Sequence, residues 1–275
     1  MTPPPDPAVP VTPAAPADLA GPAHWNDVWG VATRRALSPW SYYTARLDAV
    51  FARHVGVGTR VVEIGAGNSR WLPFLARRYG CDVWGIDYSA PGVAQARARL
   101  HAAGVTGSER IVQGDVFAPH PALEGRFDVL WSAGFVEHFD DVSRAVRRLA
   151  EFLRPGGVML TLVPNMDGAI GCLHRWADPS VFAMHQRLAP ARLDAEHRAA
   201  GLEVVEPGVY LGVFSLGVVN AGRLRRPLPA WVDRAVWGTV LGFQQAVCLP
   251  WRVLGWHPES RAWSPYVVGC YRRPA

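Results

Sequence analysis

Residues 61–69, VVEIGAGNS, carry a β-branched apolar run directly into a glycine-rich turn. The run Arg60–Ile64 has the pattern of a short buried strand, and Trp71–Tyr79 has the pattern of a helix. Gly65 and Gly67 let the backbone turn tightly and approach a ligand, because neither carries a Cβ atom. A strand, a glycine turn and a helix in this order are typical of nucleotide-binding α/β sheets, although the turn alone is a weak signal.

Strand and helix patterns alternate along the chain after this turn. Predicted strands cover 82–86, 110–113, 127–132, 158–163, 201–211 and 264–271, and predicted helices cover 92–103, 142–153 and 190–200. The helix over 142–153 is expected to end at the breaker RPGG. Such alternation predicts βαβ crossovers, and therefore an α/β fold with a doubly wound, mostly parallel sheet and helices on both faces.

The chain divides into a tail and one domain. Residues 1–22 hold eight prolines and are predicted to be a disordered tail. Residues 23–275 form the predicted domain, in which 23–58 is an aromatic-rich helical lid and 212–263 is an insertion between the last two strands.

The insertion contains a predicted amphipathic helix over 231–247. We interpret it as a lid packed on the domain, with peripheral contact to a lipid surface as the alternative. No run of eighteen apolar residues occurs, so no membrane-spanning helix is predicted.

The composition indicates which binding partners and which cellular compartment to expect. The formal charge is +5, but all 28 basic residues are arginine and they are scattered, with Arg223, Arg225 and Arg226 as the densest group. No nucleic-acid partner is therefore expected. The four cysteines form no CxxC pair, which argues against a disulfide framework or a zinc site and favours a cytoplasmic protein without a metal.

Acidic residues stand at three successive strand ends. Glu63 closes the first strand, Asp87 the second and Asp115 the third. Any one of them is explained equally well as a helix cap or turn residue. Three acids at the same edge of a parallel sheet are a stronger signal, because ligands bind outside the carboxyl ends of such strands.

The acids also bear on the kind of ligand. A dinucleotide fingerprint needs a third glycine where this chain has Arg70, and Glu63 would repel a phosphate but pair with a cation. A nicotinamide-dependent oxidoreductase and a cofactor-binding scaffold without activity remain as alternatives from other functional classes.

Five segments together resemble the class I S-adenosylmethionine-dependent methyltransferases, in particular the small-molecule, ubiquinone-type branch. They are VVEIGAGNS, WGIDYS, QGDVF, FDVLWSAGFVEHFDD and LRPGGVMLTLVPN, within residues 59–165. The resemblance implies a seven-stranded sheet of order 3-2-1-4-5-7-6 with an antiparallel last strand, and S-adenosylmethionine as cofactor. One departure is Ser69, where many relatives have glycine.

The resemblance also implies which residues hold the cofactor. Glu63, Gly65 and Gly67 are expected to hold its methionine part. Asp87 is expected to hold the ribose and Asp115 the adenine. The full expected set is Glu63, Gly65, Ala66, Gly67, Asp87, Tyr88, Asp115, Val116 and Ser132.

Two histidines are the candidates for catalysis. His138 follows the fourth strand and is a candidate base or acceptor-orienting group, with a structural cap of the next helix as the alternative. His185 lies in the region expected to cover the substrate. The candidate substrate-binding residues are Trp29, Tyr42, Tyr43 and Asn165.

The predicted function is methyl transfer from S-adenosylmethionine to a small, fairly apolar acceptor in bacterial secondary metabolism. The alternative within the same chemistry is a lipid acceptor at the membrane surface. The acceptor atom and the oligomeric state stay open.

Overall fold

The computed structural model describes residues 15–31, 37–38, 40–213 and 229–275. Its strands are β1 (Arg60–Ile64), β2 (Asp82–Asp87), β3 (Ile111–Gln113), β4 (Phe127–Ala133), β5 (Leu153–Pro164), β6 (Glu203–Leu211) and β7 (Tyr266–Arg272). They form one seven-stranded sheet in the order β3-β2-β1-β4-β5-β7-β6. The pairs from β3 to β5 are parallel, whereas β7 runs antiparallel to both β5 and β6. The predicted fold class and strand order are confirmed.

Helices cover both faces of the sheet. They are α1 (Gly21–Val31), α2 (Tyr42–Phe51), α3 (Trp71–Tyr79), α4 (Ala90–Ala102), α5 (Val142–Ala150), α6 (Ala169–Ala177), α7 (Pro179–Ala183), α8 (Pro190–Ala199) and α9 (Ala230–Leu254). Apolar residues of α5 and α8 pack with Val62 and Ile64 on one face. Those of α2, α3 and α4 pack with Val61 on the other, so the strands are buried on both sides.

The helix α5 shows how the sequence directs this packing. Val142, Val146 and Leu149 recur at helical spacing and are buried, while Arg147 stays exposed. The side chain of Asp141 accepts a hydrogen bond from the backbone N–H of Arg144 at 2.9 Å and caps the first turn.

The predicted break at RPGG is wrong in its details. The helix α5 ends at Ala150, and β5 begins at Leu153, ahead of the predicted start at Val158. Leu153 pairs with Phe127, and the next registered pair is Val158 with Val129. The residues between Leu153 and Val158 form a bulge, in which Gly156 has φ of 76°. The glycine-rich segment therefore bends the strand without ending it.

The N-terminal segment is ordered earlier than its composition suggests. Residues 1–14 of the expected disordered tail lie outside the described part of the chain, but Asp18 forms an antiparallel bridge with Phe139. The backbone N–H of Leu19 donates to the carbonyl of His138 at 2.8 Å. The composition of the segment does not predict its pairing with the turn at His138 and Phe139, because that turn is distant in the sequence.

The predicted amphipathic helix is present as α9 and is longer than expected. It packs on α2 through a small cluster that contains Tyr42, Val213 and Cys248. Residues 214–228 of the insertion, including the arginine group at 223–226, lie outside the described residues. No helix in the described part of the chain combines the length and the apolar character needed to cross a bilayer.

Candidate functional site

The predicted acids lie at the carboxyl edge of the sheet, close to β1, where the order of the strands reverses direction. β1 lies between β2 and β4, so the crossovers leave it toward opposite sides and open a crevice above it. Glu63 lies near the end of β1, Asp87 ends β2, and Asp115 follows β3. We call the group of Glu63, Gly65, Gly67, Asp87 and Asp115 the cradle.

The glycine turn of the cradle has no room for side chains. Gly65 has φ of 72°, a conformation that glycine adopts at little cost, and a Cβ atom there would meet the ring of Phe135 at 3.0 Å. A Cβ atom on Gly67 would lie 2.8 Å from Oδ2 of Asp87. The missing side chain therefore lets the Asp87 carboxylate and the indole of Trp29 lie directly against the turn.

Asp87 is fixed by the turn. Its Oδ2 accepts from the backbone N–H of Gly67 and its Oδ1 from that of Ser89, both at 2.7 Å. Each oxygen keeps a second lone pair for a ligand hydroxyl. Burial raises the pKa of Asp87, and these two hydrogen bonds oppose that shift.

Glu63 is a buried acid that is oriented by a neighbouring hydroxyl. The hydroxyl of Ser69 donates to Oε2 of Glu63 and accepts from the backbone N–H of Leu72 at 3.1 Å. Burial raises the pKa of Glu63 to about 8, and the charge of Asp87 adds to the effect. Ser69 thus orients Glu63 and caps α3. Sequence reasoning noted Ser69 as a departure but missed this contact.

Asp115 completes the cradle, and the other predicted cofactor residues are Ala66, Tyr88, Val116 and Ser132. Asp115 is exposed, and its Oδ1 accepts from the backbone N–H of Phe117 at 2.9 Å. Val116 is buried, and the hydroxyl of Tyr88 bonds Asp18 at 3.2 Å. Ala66 and Ser132 are both buried. The Oγ atom of Ser132 meets no hydrogen-bond partner among the described residues, which suits a site that a ligand completes.

Two tryptophans of α1, which we call the aromatic cap, close over the cradle. The indole of Trp29 lies beside Gly67, where its Nε1 would be 2.6 Å from an added Cβ atom. Trp25 stacks on Trp29 with ring centroids 6.0 Å apart and meets His138 edge-on at 5.0 Å. Trp29, predicted to bind substrate, therefore borders the cradle itself, and Trp25 joins it to His138.

The two predicted catalytic histidines lie together although the sequence separates them widely. Their ring centroids are 4.4 Å apart. His138 bonds the carbonyl of Met184 through Nδ1 at 3.0 Å, and His185 bonds that of Val181 through Nδ1 at 2.7 Å. Burial lowers the pKa of His138 to about 3 and that of His185 to about 4, so both rings are neutral at pH 7.

Glu137 completes this group and was missed by sequence reasoning. Its side chain is fully buried, and its Oε1 lies 3.9 Å from Nε2 of His138. Burial raises the pKa of Glu137 to about 8, although nearby backbone N–H groups oppose the shift. The only signal in the sequence was its place beside His138. We call Glu137, His138 and His185 the His–Glu cluster.

The other predicted substrate residues lie elsewhere. The hydroxyl of Tyr42 bonds Nδ1 of His257 at 3.0 Å, and Tyr43 packs against Tyr266 with ring centroids 4.8 Å apart. Asn165 is buried, and its amide donates to two backbone carbonyls of the segment before β7, both at 2.8 Å. The structure therefore groups Tyr42 and Tyr43 with α9 and β7, and places Asn165 in the packing of that segment.

Comparisons with known proteins agree with this geometry. A family model described as a methyltransferase domain matches residues 62–161. The chain is 30% identical over 206 residues to a ubiquinone biosynthesis O-methyltransferase of Azorhizobium caulinodans, a match that covers 69% of this chain and 79% of the relative.

Solved structures share the fold. Phosphoethanolamine N-methyltransferase 2 of Haemonchus contortus, in complex with S-adenosyl-L-methionine, matches with a TM-score of 0.55 and 16% identity, over 85% of this chain and 53% of that one. The [4+2]-cyclase SpnF matches with a TM-score of 0.60 and 18% identity, over 96% of this chain and 98% of that one. At these sequence identities the matches show a shared fold and nothing about function.

Proposed function

The chain belongs to the class I S-adenosylmethionine-dependent methyltransferases, and from this premise we propose that its acceptor is a small, fairly apolar molecule. The nicotinamide-dependent alternative is set aside, because the matched family and the relative above are methyltransferases. Secondary metabolism in a bacterium is the setting we propose, and the name of the relative makes a hydroxyl the first acceptor group to test.

The cradle fits S-adenosylmethionine. We propose that Glu63, Gly65 and Gly67 hold its methionine part, since a buried carboxylate beside a glycine turn that carries no side chains suits an ammonium group. Asp87 accepts hydrogen bonds from the ribose hydroxyls, and Asp115 accepts one from the adenine amino group. Ala66, Tyr88, Val116 and Ser132 complete the proposed set. The bound cofactor supplies an electrophilic methyl carbon on a sulfonium.

The protein's own part in the reaction is positioning. Methyl transfer is an in-line displacement with a good leaving group, so holding the acceptor atom against the methyl carbon lowers the barrier most. A base is needed only where the acceptor loses a proton. His138 and His185 are neutral, and a base with a pKa of about 3 or 4 is weak at neutral pH. We therefore propose that they orient the acceptor.

The aromatic cap is the observation that carries the acceptor class. Trp25 and Trp29 form a continuous indole wall from the cradle to His138. A wall of this kind encloses a small apolar molecule and leaves little space for a protein or nucleic-acid chain.

The test is methyl transfer from radiolabelled cofactor to a panel of acceptors. The panel contains small aromatic and aliphatic hydroxyl compounds beside total RNA and total protein. We expect turnover on members of the small-molecule set. Turnover confined to RNA or protein would contradict the proposal.

A second candidate function is methylation of a lipid at a membrane surface, and the exposed face of α9 favours it. Apolar side chains there are more than a third exposed, namely Trp231, Val236, Phe243, Val247, Val253 and Leu254. Apolar residues with tryptophan at the end of a helix are typical of interfacial binding.

Sedimentation with phospholipid vesicles tests this second candidate. The full chain is expected to co-sediment, and the double variant Trp231→Ser, Phe243→Ser to stay in the supernatant. Trp176→Ser is the matched control, because Trp176 is 73% exposed but belongs to α6. Equal sedimentation of all three proteins would exclude α9 as the contact.

A further inference from the structure

The His–Glu cluster places three metal-ligating groups around one point. Glu137 and His138 lie on a 3₁₀ turn directly after β4, and His185 follows α7. One ligating atom from each residue lies within 4.8 Å of the corresponding atoms of the other two. Phe135, which contacts the glycine turn at Gly65, precedes the cluster, so the cluster borders the cradle.

The carboxylate of Glu137 is buried, and the backbone N–H groups of Phe135 and Glu137 near it do not reach hydrogen-bond geometry. The side chain is 0% exposed, and neither Oε1 nor Oε2 meets a hydrogen-bond partner among the described residues. The Nε2 atom of His138 lies 3.9 Å from Oε1 of Glu137, beyond hydrogen-bond distance. An ionised carboxylate buried without a cation is strongly destabilising, so this position calls for a bound positive charge or a proton.

Both histidines use the same ring nitrogen for a backbone hydrogen bond. A backbone carbonyl can only accept, so the Nδ1 atoms of His138 and His185 carry the protons that they donate to Met184 and Val181. The Nε2 atoms therefore carry the lone pairs. In metal sites, the ring nitrogen that does not bind the metal usually donates a hydrogen bond, which fixes the tautomer and the orientation of the ring.

We propose that Glu137, His138 and His185 form a binding site for a first-row divalent transition-metal ion. Two imidazoles and one carboxylate suit zinc, iron, manganese or cobalt, whereas magnesium and calcium prefer oxygen ligands alone. Ligands about 2 Å from such an ion stand roughly 3 to 3.5 Å from one another. Binding of an ion would therefore draw together the three ligating atoms, which now lie within 4.8 Å of one another.

Three protein ligands leave coordination positions open. Trp25 contacts His138 edge-on with ring centroids 5.0 Å apart, so the aromatic cap covers one side of the cluster. No local pattern predicts a metal here, because the three ligands come from two distant segments of the chain. This inference rests on the cluster alone and does not depend on the proposed acceptor.

Cobalt binding to the full-length protein tests the site. After treatment with a chelator, the protein is titrated with Co²⁺ in a calorimeter, and the visible absorption of the bound ion is recorded. We expect one ion per chain. Glu137→Gln and His185→Ala are each expected to weaken binding by at least about tenfold, since each removes a ligand. Glu203→Gln and His101→Ala are matched controls at exposed positions and should bind as the wild type does.

The affinity of each variant for S-adenosylhomocysteine separates loss of a ligand from loss of the fold. Variants that bind S-adenosylhomocysteine normally but not Co²⁺ support the metal site. A wild-type protein that binds no Co²⁺ overturns it, as do ligand variants that bind Co²⁺ with unchanged affinity. Co²⁺ binding without S-adenosylhomocysteine binding would count against the proposed cofactor residues and leave the metal site standing.

Discussion

The cradle and the aromatic cap are built in opposite ways. The cradle takes its acids from the ends of neighbouring parallel strands, and a backbone N–H of the glycine turn holds Asp87. The cap takes Trp25 from a helix near the N-terminus and sets it against His138, far along the chain. Sheet geometry alone fixes the cradle, whereas long-range packing fixes the cap. Substitutions in the two regions should therefore affect different ligands.

Replacing Asp87 is the strongest test of the cradle, and Asp87→Ala should weaken S-adenosylhomocysteine binding by about 100-fold or more. The reason is that hydrogen bonds to a charged group contribute about 1.5 to 3 kcal/mol each, and Asp87 is proposed to make two with the ribose. Isothermal titration calorimetry measures the change. Asp128→Ala is the control, because Asp128 lies at the opposite end of the sheet and bonds Arg154. Equal affinities for both variants would break the assignment.

Filling the glycine turn should have the next largest effect. In Gly67→Ala, the added methyl lies 2.8 Å from Asp87 Oδ2 and 2.6 Å from Trp29 Nε1, so the carboxylate or the indole must shift. We expect cofactor affinity to fall by about tenfold, the equivalent of about 1.4 kcal/mol.

Gly238, one of two glycines in α9, provides the control for this change. Gly238 has open space around its Cβ position, so Gly238→Ala should leave cofactor affinity unchanged. It should also stabilise the helix by up to about 1 kcal/mol, measured by denaturant unfolding. Loss of cofactor affinity in Gly238→Ala would show that the effect is not local to the cradle.

The sequence predicts the cradle better than the contacts around His138, because sheet geometry fixes the first and long-range packing fixes the second. The strand ends at Glu63 and Asp87 follow from strand periodicity, and parallel pairing brings them to one edge without further information. The approach of His185 to His138 depends on how α6 and α7 pack, which no local pattern encodes. The burial of Glu137 and the pairing of Asp18 with Phe139 are tertiary in the same sense.

The pH dependence of cofactor binding sharpens the role of Glu63. Its pKa of about 8 means that the free protein holds this carboxyl mostly protonated at pH 7. Pairing with an ammonium group requires the carboxylate, so binding releases a proton and affinity rises with pH up to about 8. The expected slope is at most about tenfold per pH unit.

Calorimetry between pH 6 and pH 9 checks both the slope and the proton, the latter from titrations in buffers with different ionisation enthalpies. Glu63→Gln should bind more weakly at pH 8 and lose the slope. A variant that keeps the full pH dependence would assign the titration to another group. The pKa of Glu63 is raised because the carboxyl group is buried, and a positively charged ligand beside it is expected to lower that pKa again.

Trp25→Ala is the smallest expected effect and the one that separates the cap from the cradle. Trp25 stacks on Trp29, the tryptophan beside Gly67, and precedes it by one helical turn. We therefore expect the affinity for the cofactor to stay unchanged. An aromatic contact contributes about 1 kcal/mol, and the KM for the acceptor should therefore rise about fivefold. Trp176→Ala, at an exposed position of α6, is the control with unchanged KM. A fall in cofactor affinity without a change in acceptor KM would place Trp25 in the cradle, and the two regions would then form one site with a shared wall.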